Sequence, residues 1–166
     1  MNPLEWPIFA HTRRNHALEH ATINLLSRQH ASLRLVGRSD WSGFTLYGTV
    51  STEDVQAAVS GALQRLREGE HELALHTACG TNYATGVVLA SLASYAALQG
   101  KRRSALQKMV QLLLGLVAAL TLAQPVGLWL QEHATTSPDL ANLRVTAIRR
   151  LERGKLVVHR IETAQG

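Results

Sequence analysis

Two stretches of this chain carry no charged residue. Tyr83–Gln99 is mostly Ala, Val, Leu, Ser and Gly, and Met109–Leu130 is interrupted only by Gln111, Gln124 and Pro125. A helix that crosses a bilayer needs about 20 apolar residues. The second stretch reaches that length; the first is shorter and rich in small residues, as packed membrane helices are. A helix that is apolar on all sides must be hidden in a large core or in lipid, and a chain of 166 residues has little core in which to hide two. The expectation is a membrane-inserted helical hairpin over 83–131, with the lipid bilayer as partner and Lys101-Arg102-Arg103 as a polar tip among headgroups. The alternative is a buried hairpin in a soluble oligomer, and a homodimer is compatible with either.

The flanking segments read as one small α+β domain, built from 1–82 and completed by 132–166. Residues 1–11 read as an irregular lead, in which Trp6, Ile8 and Phe9 could touch a membrane interface or cap the core. The stretch Trp6–Ala10 is too short for the apolar region of a signal peptide. Apolar periodicity predicts a helix from about Arg13 to Arg28. Ser32–Val36 reads as a strand, Gly37-Arg38-Ser39-Asp40 as a turn, and Gly43–Val50 as a second strand. A helix start at Ser51-Thr52-Glu53-Asp54 leads into an amphipathic stripe that stops near Gly69. Glu72–His76 reads as a third strand. Leu143–Arg150 and Lys155–Ile161 alternate around Glu152-Arg153-Gly154 and predict a C-terminal β-hairpin.

Residues His16–His20 read HALEH, an H-x-x-E-H pattern. On a helix, His16 and His20 project from one face within reach of one metal ion. Glu19 lies on nearly the same face and can move a proton without being a ligand, the inverted form of a metallohydrolase motif. The one cysteine follows in His76-Thr77-Ala78-Cys79-Gly80-Thr81. As a thiolate, Cys79 would complete a three-ligand set with an open position. A single cysteine excludes an intrachain disulfide framework. The formal charge of +5 is spread along the chain, and aromatic residues are not interleaved with the basic ones. That pattern argues against a nucleic-acid surface. His76 is an alternative ligand or substrate contact. His71, His11, His30, His133 and His159 have no spacing argument, and Asn82 and Tyr83 fit a capping or packing role as well as a site role.

Three segments, in order, resemble the S-ribosylhomocysteine lyase family: His16-Ala17-Leu18-Glu19-His20; Ser42-Gly43-Phe44 through Tyr47-Gly48-Thr49 with the helix from Thr52; and Glu72-Leu73 through Cys79-Gly80-Thr81. The similarity covers about residues 16–95. It implies an α+β sandwich with helices on one face of an antiparallel sheet, a fold shared with pitrilysin-type inverzincins. It also implies His16, His20 and Cys79 as ligands to zinc or ferrous iron, and Glu19 as the acid/base. Asp40 stands where that family has a catalytic cysteine, so Asp40 becomes a second catalytic candidate with different proton chemistry. The family's N-terminal strands have no counterpart, so its substrate is not carried over.

These readings lead to three function classes. The first is a membrane-anchored metallohydrolase, a peptidase or amidase. The second is a metal-dependent lyase or isomerase acting on a small polar molecule. The third is a non-catalytic metal-binding membrane subunit. A lone thiolate ligand suits a reducing compartment, which favours a metal domain on the cytoplasmic side of the cell membrane.

Overall fold

A computed structural model of the chain describes residues 3–30, 32–99, 104–153 and 156–165. The basic triplet Lys101-Arg102-Arg103 and the turn of the C-terminal β-hairpin lie outside them. The chain divides into two compact units, Met1–His76 with Glu132–Gly166, and Thr77–Gln131.

The first unit is α+β. Its long helix α1 (Pro7–Gln29) starts on Pro7, where a missing N–H costs nothing. Helix α2 (Thr52–Arg67) is capped by Ser51, whose Oγ accepts from the Asp54 N–H at 3.0 Å. Strands β1 (Val36–Asp40), β2 (Gly43–Tyr47), β3 (Arg144–Arg153) and β4 (Leu156–Ala164) form one antiparallel sheet in the order β1-β2-β4-β3. Leu18 and Leu26 of α1, Phe44 and Leu46 of β2, Val55, Val59 and Leu66 of α2, and Ile161 of β4 meet in one apolar core. Gly43 sits at φ 145°, and a side chain there would strike the Ile161 carbonyl, so only glycine lets β2 lie this close to β4.

Four expected elements are corrected. Ser32–Val36 is not a strand; β1 begins at Val36 and runs through the segment expected to be a turn. The turn is Trp41-Ser42, held by Asp40 Oδ1, which accepts from the Ser42 N–H at 2.9 Å and its hydroxyl at 2.8 Å. Glu72–His76 is not a strand either. His71–Ala74 forms a 3-10 turn, and Leu73 and Ala74 are both buried. Consecutive buried residues do not fit a strand with one buried face. Helix α1 also begins six residues before Arg13, within the stretch expected to be irregular.

The second unit is an antiparallel helical hairpin, α3 (Gly80–Leu98) and α4 (Ala105–Leu130). Ser104 and Gln107 cap α4 reciprocally. The helices meet through small residues: a Cβ on Gly86 would lie 3.3 Å from the Ala123 methyl, and one on Gly115 would lie 2.9 Å from that of Ala93. At its open end, Asn82 Nδ2 donates to the Thr77 carbonyl at 2.7 Å, Gln131 Nε2 donates to Asn82 Oδ1 at 2.8 Å, and Gly127 leaves room for the Asn82 side chain. Large apolar side chains face outward on both helices, among them Leu92, Leu114 and Leu120. Among the described residues, α4 is the one helix long and apolar enough to cross a membrane.

Candidate metal centre

His16 and His20 lie four residues apart on α1, with ring centroids 4.2 Å apart. Each ring is oriented by a backbone carbonyl: His16 Nδ1 lies 2.9 Å from the Thr135 oxygen, and His20 Nδ1 lies 2.7 Å from the Ala74 oxygen. A carbonyl only accepts, so both Nδ1 atoms carry the hydrogen and both Nε2 atoms carry the lone pair in the neutral rings. This is the support that metal-ligating histidines require, fixing tautomer and ring direction together. The residues of the first unit therefore fit a metal ion.

His76 has the same arrangement. Asn24 Nδ2 donates to the Leu73 and Leu75 carbonyls at 3.0 and 2.9 Å, which turns Asn24 Oδ1 toward His76 Nδ1 at 2.8 Å. Its ring centroid stands 5.7 Å from that of His20, and burial keeps its pKa below the ordinary histidine value.

Glu19 is buried on the same segment of α1. Ser39 Oγ donates to its carboxylate, and Gly37 of β1 makes room for it: a Cβ there would collide with the carboxylate oxygen. Burial pushes the Glu19 pKa up, opposed by the Ser39 hydrogen bond and by His16. A carboxyl with a raised pKa is better matched to proton transfer near neutrality.

Asp40 is not brought to this cluster. Gly37 and Ser39 face α1, so alternation sends Asp40 to the other face of β1. There its carboxylate takes two bonds from Arg160, at 2.8 and 2.9 Å, which with the Ser42 bonds hold its pKa at about 2. Cys79 belongs to the second unit, where it caps α3: its Sγ accepts from the Thr81 N–H at 3.4 Å. A helix N-terminus attracts negative charge, and the anionic form is the one in which sulfur binds metal.

Four contributors to this centre are not visible in the H-x-x-E-H pattern: Ser39, Asn24, and the carbonyls of Ala74 and Thr135. The carbonyls carry no side-chain signal. Ser39 carried one, because a strand with Gly37 and Ser39 on its inner face must cover something polar.

The chain matches, over residues 11–148, the profile of a family described as a domain of unknown function (DUF6391). It is 33% identical over 137 residues to an uncharacterised protein of Picosynechococcus sp., an alignment that covers 77% of this chain and 67% of that one. No solved structure matches. On the extent of the profile match and this identity, the chain belongs to the DUF6391 family.

Proposed function

We propose that this protein is a membrane-anchored, metal-dependent hydrolase, a peptidase or amidase, with His16, His20 and Cys79 as ligands and Glu19 as general base. The observation that carries the reading is the paired support of His16 and His20, each held by a backbone carbonyl at Nδ1, with a buried carboxylate beside them. Cys79 follows His76 by three residues, a reach of at most about 11 Å of extended chain. His76 itself stands beside His20, and this short tether supports Cys79 as the third ligand. Zinc is the metal this donor set suits best, with ferrous iron as the alternative.

When bound, the metal supplies Lewis acidity, polarising a carbonyl and acidifying a water. Glu19 would accept the proton and pass it to the departing amine. Ser39 fixes the Glu19 carboxylate for that transfer, and the wall of β1 keeps bulk water from it. The apolar length of α4 supports a membrane anchor, and α3 beside it would make the inserted element a hairpin. The first unit hands the chain to the hairpin at His76 and takes it back at Glu132. Both points adjoin the histidine pair, through Ala74 and Thr135.

Elemental analysis of purified variants tests the ligand set. His16→Ala, His20→Ala and Cys79→Ser should each lose most of the metal, while Glu19→Gln should retain it. Full occupancy in Cys79→Ser would remove Cys79 from the ligands and make His76 the third. With a turnover assay in hand, Glu19→Gln should lower the rate about 10²–10⁴-fold. An unchanged rate would leave a structural metal as the better reading.

A further inference from the structure

In the first unit, α1 and α2 share a core with one face of the sheet, the face that carries Phe44, Leu46 and Ile161. Side chains alternate along a strand and cross-strand partners share a face, so the register fixes what the other face presents. One row crosses Arg38, Thr45, Arg160 and Arg149 and is cationic. The next row lies about 7 Å further along β1. It holds Asp40 and Glu162 and is anionic. Val36 and Tyr47 stand on the far side of the cationic row, and the Trp41-Ser42 turn stands beyond the anionic one. Val36 is 68% exposed and Trp41 is 63% exposed. Within the sheet, Arg160 pairs with Asp40 and Arg149 with Glu162. Among the described residues, Arg38 is exposed and has no ion-pair partner.

We infer that two copies of this chain associate through this face, related by a two-fold axis that crosses the strands over the row of Ser39, Phe44 and Ile161. A half-turn about that line lays the cationic row of each copy on the anionic row of the other. Arg38 then meets Asp40 of the second copy, and Arg160 meets Glu162. The same half-turn brings Val36 and Tyr47 onto the Trp41-Ser42 turn, so one axis matches the charges and the exposed apolar residues together. Sliding the copies by one row would set Arg38 against Arg38, and like charges brought together across an interface repel. The face is thus its own complement, which is what a two-fold interface requires. Rows of opposite sign this close give neither a nucleic acid nor an anionic bilayer a field of one sign. Their charge also excludes acyl chains. The face measures about 14 Å across its four strands and about 17 Å along them, which places the association at the weak end of specific interfaces. Glu19 lies behind β1, on the side of Gly37 and Ser39, so each copy keeps it clear of the interface.

The test uses the full chain in detergent, with its mass followed by sedimentation over a range of protein concentrations. The wild type should pass from monomer to dimer as concentration rises, and added salt should weaken the dimer. Arg38→Glu should weaken it at least about tenfold, because the change acts twice across the axis. Arg34→Glu, the same charge change on an exposed residue outside the sheet, should leave the association as it is. Cross-linking reads the axis. Chains carrying Val36→Cys mixed with chains carrying Trp41→Cys should form a disulfide-linked pair on mild oxidation, and neither variant should do so alone. A monomer at every concentration, or a dimer that Arg38→Glu leaves unchanged, overturns the inference. So does a dimer in which Val36→Cys chains link to one another and the mixture adds nothing. None of these readouts involves the metal, so each of these failures leaves the metal reading standing.

Discussion

At the scale of single residues, the most demanding position is Gly37. It carries no chemistry, yet a methyl group there would occupy the space of the Glu19 carboxylate. Glu19 is buried and constrained by Ser39, so it cannot retreat without losing that bond. Gly37→Ala should therefore destabilise the protein by about 1–3 kcal/mol, the usual range for overpacking, as measured by urea denaturation. Metal content in the same variant should persist, because the carbonyls of Thr135 and Ala74 that orient His16 and His20 are untouched. Loss of metal together with stability would mean that β1 positions the ligands as well as the base.

At the scale of elements, β4 shows how one strand serves two environments. His159 points into the core and is fully buried, its Nε2 at 3.1 Å from the Thr52 hydroxyl oxygen at the start of α2. Arg160, the next residue, points outward to Asp40. Both contacts should weaken in acid, in separate windows. Burial, with Arg150 adding to it, holds the His159 pKa below its ordinary 6.5, so the folded protein takes up this proton less readily than the unfolded chain. Its contribution to stability is complete above pH 6.5 and declines below it. The Asp40 pKa is lowered from 3.8 to about 2, so its contribution is complete above about pH 4 and disappears as the pH falls through 2. Asp40's side chain is 46% exposed, so solvent screening keeps that effect modest. Urea midpoints measured from pH 8 to 2 should show the higher step shrink in His159→Leu, with buried His76 keeping the remainder, and the lower step vanish in Asp40→Asn. A fall in midpoint between pH 7 and 4 that is as large in His159→Leu as in the wild type would contradict the buried-histidine account.

At the scale of the whole molecule, the two units differ in what their surfaces ask of the surroundings. The first gathers a closed apolar core, with Trp6, Ile8 and Trp41 left exposed outside it; the second leaves leucines exposed along both helices. The hairpin should therefore stay with membranes through an alkaline carbonate wash. Cysteines introduced one at a time near the α3–α4 connection and in the C-terminal tail should be labelled from opposite sides of the bilayer. Release by carbonate, or labelling of both sites from one side, would assign the hairpin to a soluble oligomer. Within the hairpin, Gly127→Leu should drive α4 away from Asn82 and break its bond to Gln131, since the space beside Gly127 is already filled. Limited proteolysis should then cut near Gln131 faster than in the wild type.

The sequence by itself determined the features that rest on local periodicity and composition. The histidines of HALEH share a helix face because 3.6 residues per turn puts them there, and α2 begins where Ser51-Thr52-Glu53-Asp54 begins it. The absence of charge over two long stretches was enough to predict a pair of apolar helices, and α3 and α4 are that pair. The alternation around Glu152-Arg153-Gly154 likewise marked β3 and β4. Only the tertiary structure decided what each short polar segment does. Gly37-Arg38-Ser39-Asp40 has turn-like composition, yet it is a strand, because its inner face covers the carboxylate of Glu19 rather than hydrocarbon. Glu72–His76 has strand-like alternation, yet it turns, because Asn24 captures the Leu73 and Leu75 carbonyls that a neighbouring strand would have paired. Asp40 was a reasonable catalytic candidate by position in the chain, but strand alternation turns it away from Glu19 and toward Arg160. In each case the deciding partner is distant in sequence, and no local pattern can carry its signal.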